Sequence, residues 1–597
     1  MSLRAEGEAI PSPSVMRSPR FAHDDKNNSG DLKKIEGIHV LTLKGSSFER
    51  AYQHGFLLKK EIKKGMIPFY AALLKKTLEK IPSKKFQDSI GEYIDLFLLD
   101  PMRSYVSDQV KDELKALAWA SGLDEKNYLN ATILPDTFLL VLSLLYENGI
   151  ILDRSQFGCT SFAAQESITE DGSLIVGRNL DYDGIGLWDE NPTLMINQPH
   201  DAYKYVSVTS AGVHTGGITA INEHGLSLSL HQVLCTDVSL GEPIIQVGDR
   251  IIREAKTIEE AYKIAKNSDI SGCWSYLITD QAQHKSRIAV LSLSATDHKL
   301  QFFKDHIEVS NFFLNKKMHE KEYEISPSIT QSSLNRFLRM RQLVENNLGK
   351  MNIEKAQSIL SDQYDLSVKR EREASPHIIS VINNIQSVIF KIEKPSQGKE
   401  SISKRIQIWV SNGKAPVAQG DYIGFDFEGN ILGKLAKKKN KSDSLDAYLK
   451  AYKALYEGND EDVLKFLEEA HNDKPSETTY TYVLALYLLK MKKWEEALSQ
   501  FEKVKGEELS FYETLVYAYY YGVCLEKLEK QDEALKIYEK ILTKVPEGEL
   551  KKAVEERMRN PEGDLQMIPD LKLLDTIGYR LNMPKPLKSL NNGGSRP

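Results

Sequence analysis

The sequence predicts an α+β domain followed by an all-α domain, and three patterns carry that prediction. Apolar residues recur at spacings of three and four up to about residue 148, and alternate with period two from residue 159 onward. Near the C-terminus a helical segment repeats itself about every 34 residues. At 597 residues the chain is too long for one ordinary domain and long enough to bury a large core.

Residues 1–31 mix Pro, Ser, Asn and charge without periodicity and read as disordered. They hold no apolar core of a signal peptide, so the default location is cytoplasmic. Met1-Ser2-Leu3 is also compatible with a start that replaced a trimmed segment, in which case the protein is exported. A strand over residues 38–43 leads to Ser46 and Glu49, which have capping-box spacing and start a helix. The chain then stays mostly helical to Asn148. Its most apolar run, residues 137–146, is about half the length a membrane span needs and reads as a buried helix, so no transmembrane segment is expected.

Strands are expected at 159–166, 173–179, 204–210, 217–222 and 226–232, and helices near 246–256 and 258–267, the second with Thr257 and Glu260 as a capping box. Strands resume at 274–280, 287–293 and 299–303 and end in Ile307-Glu308-Val309-Ser310-Asn311-Phe312. Helices at 332–348 and 353–362 and strands near 378–392 and 404–411 follow. The lysine-rich residues 434–442 read as a solvated basic linker. Beyond it, the segments starting at Glu461, Glu495 and Asp532 superimpose, with Val463, Ala497 and Ala534 in register. With Pro475 and Pro546 after the helices, this is the pattern of tetratricopeptide-like helical hairpins that bury a core by stacking. The tyrosines at 517 and 519–521 read as inter-helix packing.

Composition excludes several functions. The net charge is −6 and the pI about 6.2, so no global basic field points to nucleic acid. Cys159, Cys235, Cys273 and Cys524 show no CxxC or Cys/His ligand spacing, so neither a disulfide framework nor a structural zinc site is supported. Gly429 to Lys434 lacks the residues and spacing of a phosphate loop, and neither HExxH nor GxSxG occurs. No metal and no organic cofactor is expected.

Cys159 stands behind Gly158 at the head of the run Cys159-Thr160-Ser161-Phe162-Ala163-Ala164. The turn signal Asp171-Gly172 separates it from Val176-Gly177-Arg178-Asn179-Leu180-Asp181-Tyr182. Arg178 and Asp181 follow the cysteine by 19 and 22 residues, so a returning strand carries both toward it. This suits an enzyme whose nucleophile becomes a new chain terminus. A free α-amine, of ordinary pKa about 8, then takes the proton of its own thiol and no histidine base is needed. Arg178 can hold the sulfur as thiolate, and Asp181 can accept hydrogen bonds from the α-ammonium. Residue by residue the plainer reading is the better one: a half-buried strand cysteine and a surface ion pair.

The assembled string Cys-Thr-Ser…Gly-Arg-Asn-Leu-Asp-Tyr resembles the N-terminal-nucleophile hydrolases of the acid ceramidase and N-acylethanolamine acid amidase group and their relatives, the penicillin (isopenicillin N) acyltransferase-like proteins. Residues 45–55, GSSFERAYQHG, resemble the opening helix of the latter. Asn222-Glu223-His224-Gly225-Leu226 is similar to the NExGL hairpin of bile salt hydrolases, and Ser332-Ser333-Leu334-Asn335-Arg336-Phe337 to their SSPSRF segment. The resemblance implies a four-layer αββα sandwich across residues 32–433, and maturation by self-cleavage between Gly158 and Cys159. The cysteine-to-arginine spacing is about three residues wider than in the mammalian amidases, a change the turn can absorb. The resemblance further implies an oxyanion hole from the backbone N–H of Gln232, where bile salt hydrolases have Asn, and the side-chain amide of Asn311. It makes Arg336 the active-site arginine. Taken singly, these positions read as a plain hairpin, a turn asparagine and a surface helix arginine. His54 has a reading as a pocket residue, but a helix-packing histidine is the favoured one.

The expected organisation is a disordered N-terminus (1–31), a helical pro-segment or α chain (32–158), a hydrolase core or β chain (159–433), the linker (434–442), the tetratricopeptide-like repeats (443–560) and a tail (561–597). The implied activity is cleavage or transfer of acyl groups at linear amide C–N bonds. The substrate is a small N-acyl amide or an acyl donor, and the repeats offer a site for a protein or peptide partner. The alternatives are a phospholipase B-like ester hydrolase and a non-enzymatic adaptor with an inactive hydrolase domain.

Overall fold

The computed structural model describes residues 30–69, 95–147, 158–182, 184–281, 285–324, 327–395, 400–437, 441–457, 459–563 and 565. The expectations for residues 1–29, for Phe157 and for the tail beyond 565 lie outside the described residues. What is described is a mixed α+β structure with two large sheets and many helices.

The larger sheet has nine strands. In spatial order they are β1 (Asp31–Ile35), β2 (Ile38–Gly45), β5 (Pro192–Pro199), β6 (Tyr205–Ser210), β7 (Thr219–Asn222), β8 (Ser227–Gln232), β9 (Trp274–Asp280), β10 (Arg287–Leu293) and β11 (His298–Phe303). The smaller has seven: β12 (His306–Val309), β3 (Gly158–Ala164), β4 (Leu174–Asp181), β15 (Asn384–Ile392), β16 (Ile406–Ser411), β17 (Tyr422–Asp426) and β18 (Ile431–Leu435). Alternation of side chains fixes their stacking. Val40, Leu194, Ile221, Leu277 and Val290 of the larger sheet share one core with Ala163, Val176, Val388, Ile408 and Phe425 of the smaller. The residues between them point outward and are covered by helices. Ile244–Glu254 and Ile258–Lys266 bury Ile251 and Ala261 against Tyr276 and Leu291, whereas Pro327–Glu345 and Ile353–Leu360 bury Met340 and Ile359 against Phe162, Ile389 and Trp409. The order across the domain is therefore helix, sheet, sheet, helix.

Local chemistry explains several boundaries. Ser46 Oγ accepts from the Glu49 backbone N–H while Glu49 reaches back to the Ser46 N–H, the reciprocal cap expected for the helix Ser47–Leu57. Thr257 caps Ile258–Lys266 through the Glu260 N–H. Asn222 Oδ1 accepts from the N–H groups of His224 and Leu226, and Gly225 takes a φ of +76°, which closes the β7–β8 hairpin. The helix Glu125–Glu147 contains the apolar run 137–146. No helix among the described residues is long and apolar enough to cross a membrane.

Three differences from the sequence reading have physical causes. Residue 31 begins β1, paired with β2, rather than ending a disordered stretch. β5, β17 and β18 were not anticipated: Pro at both ends of β5 reads as a loop signal, and β18 is a short, exposed edge strand with little apolar alternation. The expectation against disulfides is corrected at one pair. Cys235 and Cys273 are bonded, with Cα atoms 6.0 Å apart, because each lies just beyond the paired strands β8 and β9. Sequence spacing of 38 residues carried no trace of that proximity.

The C-terminal helices Asp443–Glu457, Asp460–Asp473, Thr478–Lys490, Trp494–Phe501, Phe511–Lys527, Gln531–Leu542 and Glu549–Arg559 share one core. Val463, Ala497 and Ala534 are buried in it, as are Leu467, Phe501 and Tyr538 four residues on. Tyr519 and Tyr520 are packed inside, and Tyr517 stacks on Tyr521. These helices are joined to the sandwich through charge. Arg372, buried just after β14 (Arg370–Glu371), donates to Asp365 in β13 (Tyr364–Asp365) at 3.0 Å, to Glu513 at 3.4 Å and to Thr479 at 2.8 Å. Glu373 accepts from Lys474 and Tyr480, at 2.6 and 3.0 Å.

Candidate active site

The antiparallel pairing of β3 with β4 sets Gly158 opposite Asp181, Cys159 opposite Leu180, and Ser161 opposite Arg178. Cys159 and Arg178 therefore share the face turned toward the other sheet, and the Arg178 guanidinium reaches the cysteine sulfur, Nη2 to Sγ 3.6 Å. Asp181 lies beside the residue before the cysteine. A Cβ added to Gly158 would approach Asp181 Oδ2 to 3.0 Å and its Cβ to 3.1 Å, so the close approach depends on glycine there. The carboxylate accepts from Asn384 Nδ2 at 3.0 Å through Oδ1, and its other oxygen is 4.0 Å from Arg336 Nη1.

β12 pairs with β3 so that Val309 faces Ser161, which brings Asn311 level with the cysteine two residues on. Asn311 Oδ1 accepts the Cys159 backbone N–H at 2.9 Å, and its Nδ2 donates to the Gln232 carbonyl at 3.0 Å. Arg336, inside the helix Pro327–Glu345, donates through Nη1 to the Cys159 carbonyl at 3.0 Å and to Thr160 Oγ1 at 2.6 Å, and through Nη2 to Asn311 Oδ1 at 2.9 Å. Cys159, Arg178, Asp181, Asn311, Arg336 and Gln232 thus converge from β3, β4, β8, the end of β12 and one helix. Four of these residues are all but sealed: Cys159, Arg178, Asp181 and Arg336 are each less than 5% exposed.

Burial dominates the electrostatics. It pushes the Cys159 thiol up, opposed first by the Arg178 cation. It raises the Asp181 carboxyl to about 6, opposed by Arg336, the Asn384 hydrogen bond and Arg178. The two arginines have their pKa lowered by the same burial.

Beside these groups lies a cavity of about 120 Å³, lined by Cys159, Arg178 and Gln232 and otherwise mostly by apolar side chains, among them Ile67, Leu114, Val213 and Ile218. His54 is fully buried and does not line it; its Nδ1 lies 3.0 Å from Nδ1 of His214, which does. Asn384 and His214 were missed in the sequence. Neither sits in a recognisable motif, and only the fold brings them to the site.

With this geometry in view, residues 168–396 match the family model described as acyl-coenzyme A:6-aminopenicillanic acid acyl-transferase. The matched segment begins nine residues after Cys159 and includes Arg178, Asp181, Gln232, Asn311 and Arg336. An uncharacterized protein of Archaeoglobus fulgidus is 21% identical over 356 residues, which cover 54% of this chain and 58% of that relative. The chain thus spans little more than half the length of the curated relative it matches.

Proposed function

We propose that this protein is a self-cleaving cysteine amidohydrolase or acyltransferase that acts on linear N-acyl amides. The observation that carries the reading is the convergence of Arg178, Asp181, Asn311 and Arg336 on Cys159 at the edge of an apolar cavity. In maturation, Cys159 Sγ attacks the Gly158 carbonyl carbon, the Gly158–Cys159 C–N bond breaks, and the thiol proton ends on the released Cys159 nitrogen. Water then hydrolyses the thioester, leaving a Gly158 carboxylate and a free thiol. Asp181, beside Gly158 and with its carboxyl near 6, is suited to carry the proton.

In the mature enzyme the α-amine of Cys159 takes the thiol proton and the sulfur attacks the substrate carbonyl. The proton passes to the leaving amine, and water or a second amine resolves the thioester. Asn311 Oδ1 orients the α-amine. Its Nδ2 carries two hydrogens, of which one meets the Gln232 carbonyl and the other is free for the oxyanion. Arg178 offsets the rise that burial imposes on the thiol, and Arg336 holds the Cys159 carbonyl. The apolar lining supports an uncharged acyl group. A cavity near 120 Å³ approaches the ~150 Å³ that admits benzene, so about six non-hydrogen atoms fit beside the sulfur before a chain meets solvent.

The reading keeps the hydrolase at 32–433 and assigns residues 443–560 to tetratricopeptide-like repeats as the site of a peptide partner. Burial recurring at spacings of four in each repeat supports that assignment. The test is Cys159→Ala. On a denaturing gel the wild type runs as two unequal fragments, the smaller ending at Gly158, and the variant as one chain. A wild type that stays whole while hydrolysing amides overturns the proposal.

A further inference from the structure

The helix Ser47–Leu57 ends in a histidine that the proposed chemistry does not use, and its hydrogen bonds fix the state of a second one. His54 Nε2 accepts the backbone N–H of Gly212 at 3.1 Å, so that nitrogen carries a lone pair and no proton. A neutral His54 must then bear its proton on Nδ1, which lies 3.0 Å from Nδ1 of His214. His54 is the donor in that contact and His214 Nδ1 the acceptor. A neutral His214 must therefore bear its own proton on Nε2, the nitrogen that His54 does not hold. Burial keeps both rings neutral: it drives His54 well down, and it lowers His214 to about 3, with the Arg50 cation acting in the same direction. One backbone N–H thus sets two tautomers in series.

His214 lines the apolar cavity and is only half-buried. The neighbouring polar atoms of that lining are engaged within the protein. The Tyr128 hydroxyl meets Ser121, Thr132 Oγ1 donates to the Tyr128 carbonyl, Thr215 Oγ1 donates to the Ile245 carbonyl, and the Trp274 indole donates to Asp136. The unpartnered Trp188 Nε1, Gln232 Nε2 and Arg178 Nε and Nη1 are sealed among protein atoms. His214 lines the same cavity, and its Nε2 is not among these sealed atoms.

We propose that His214 Nε2–H is the specificity-determining donor of the acyl pocket and selects an acyl group that carries an acceptor oxygen along its chain, with His54 as the residue that fixes its tautomer. The inference rests on the amidase reading of the same site. A neutral N–H set in apolar surroundings discriminates strongly, because a plain methylene in front of it leaves the donor unpaired. Burial and the Arg50 cation hold the ring toward its neutral form, so it serves a ketone or ester oxygen as well as a carboxylate.

The experiment compares hexanoyl p-nitroanilide with its 3-oxo, 4-oxo and 5-oxo analogues as substrates of the self-cleaved full chain. At least one oxo analogue should exceed hexanoyl in kcat/KM by roughly tenfold or more. In His214→Phe that ratio should collapse toward one. In His54→Phe, where the ring of His214 loses its partner, it should fall part of the way. Cleavage at Gly158–Cys159 in both variants, read on a gel, reports that they fold. Equal turnover of all four anilides by the wild type, or an oxo preference that survives His214→Phe, overturns the role of His214 and leaves the amidase standing. Turnover of none of them or of any other N-acyl amide removes the amidase reading itself.

Discussion

Asp181 offers a perturbation whose sign separates a site residue from a structural one. Burial raises its carboxyl from 3.8 to about 6 despite the two nearby arginines. An acid whose folded pKa lies above its unfolded one stabilises the fold fully below the unfolded pKa, near 4, and that contribution is lost as pH rises through the folded pKa. The shift of about two units corresponds to roughly 3 kcal/mol against the folded state at neutral pH, about half of it developing between pH 5 and pH 8. Asp181→Asn removes the ionisation while keeping the shape, and it sacrifices no hydrogen bond at Oδ2, which accepts none and lies 4.0 Å from Arg336 Nη1. The pair to compare is Cys159→Ala with and without Asp181→Asn, so that neither chain cleaves. Urea unfolding followed by tryptophan fluorescence should show the double variant gaining stability over the single one as pH rises, by about 1.5 kcal/mol between pH 5 and pH 8. Asp181→Asn alone should fail to cleave. A stability gap independent of pH, or one that shrinks as pH rises, refutes the claim that Asp181 is a buried acid whose neighbours only partly offset its burial.

Other outcomes follow from the same coordinates. Arg178→Met removes the largest opposition to burial at the sulfur, so alkylation of Cys159 by iodoacetamide at pH 8 should slow about tenfold per unit of thiol pKa; an unchanged rate contradicts the Arg178–thiolate pairing. Gly177→Ala puts a Cβ 2.3 Å from Cε1 of the buried Phe162 ring and should lower stability by about 1–3 kcal/mol, whereas Gly433→Ala, with its nearest neighbour at 3.8 Å, should be near neutral by urea midpoint. Arg372→Met leaves Asp365 and Glu513 buried without their cation and should lower the thermal midpoint by the equivalent of about 3–5 kcal/mol, with Arg372→Lys restoring part of it.

The sequence was most legible where a side chain's neighbours are close in the chain. The cap at Ser46, the cap at Thr257, the Asn222 turn and the β8 alternation depend on contacts within a few residues, and each stands where the pattern placed it. Cys159, Arg178 and Asp181 were legible as a set because one hairpin joins them, although the spacing could not say that Asp181 faces Gly158 rather than the cysteine. Asn384 heads β15, inside the strand expected near 378–392, but nothing local aims its amide at Asp181, and His214 lies between β6 and β7 where no local period marks it. The disulfide between Cys235 and Cys273 was invisible for the same reason. The strand β5 was hidden by its own prolines, which a parallel pairing with β2 accommodates at the strand's ends.

The proposed self-cleavage at Cys159 needs the site assembled beforehand, and the hydrogen bonds around that residue suit both sides of such an event. Before cleavage the Cys159 N–H is an amide donor to Asn311, and its carbonyl is held by Arg336. After cleavage the same nitrogen becomes an ammonium or amine donor to the same oxygen, a stronger bond by its charge. Asn311 and Arg336 need not move, because their other partners, Gln232 and Thr160, belong to the rigid sheets or their margins. The group whose situation changes is Asp181. Next to a neutral glycine it is a buried acid near 6, and a new ammonium at Cys159 would give Oδ2, which accepts no hydrogen bond and lies 4.0 Å from Arg336 Nη1, a further cationic neighbour. Maturation by this route should therefore lower the Asp181 carboxyl and convert its pH-dependent destabilisation of the precursor into stabilisation of the cleaved enzyme. The cleaved wild type should accordingly outlast the Cys159→Ala chain in urea at pH 8 by more than it does at pH 5, and the opposite trend would place the ammonium elsewhere.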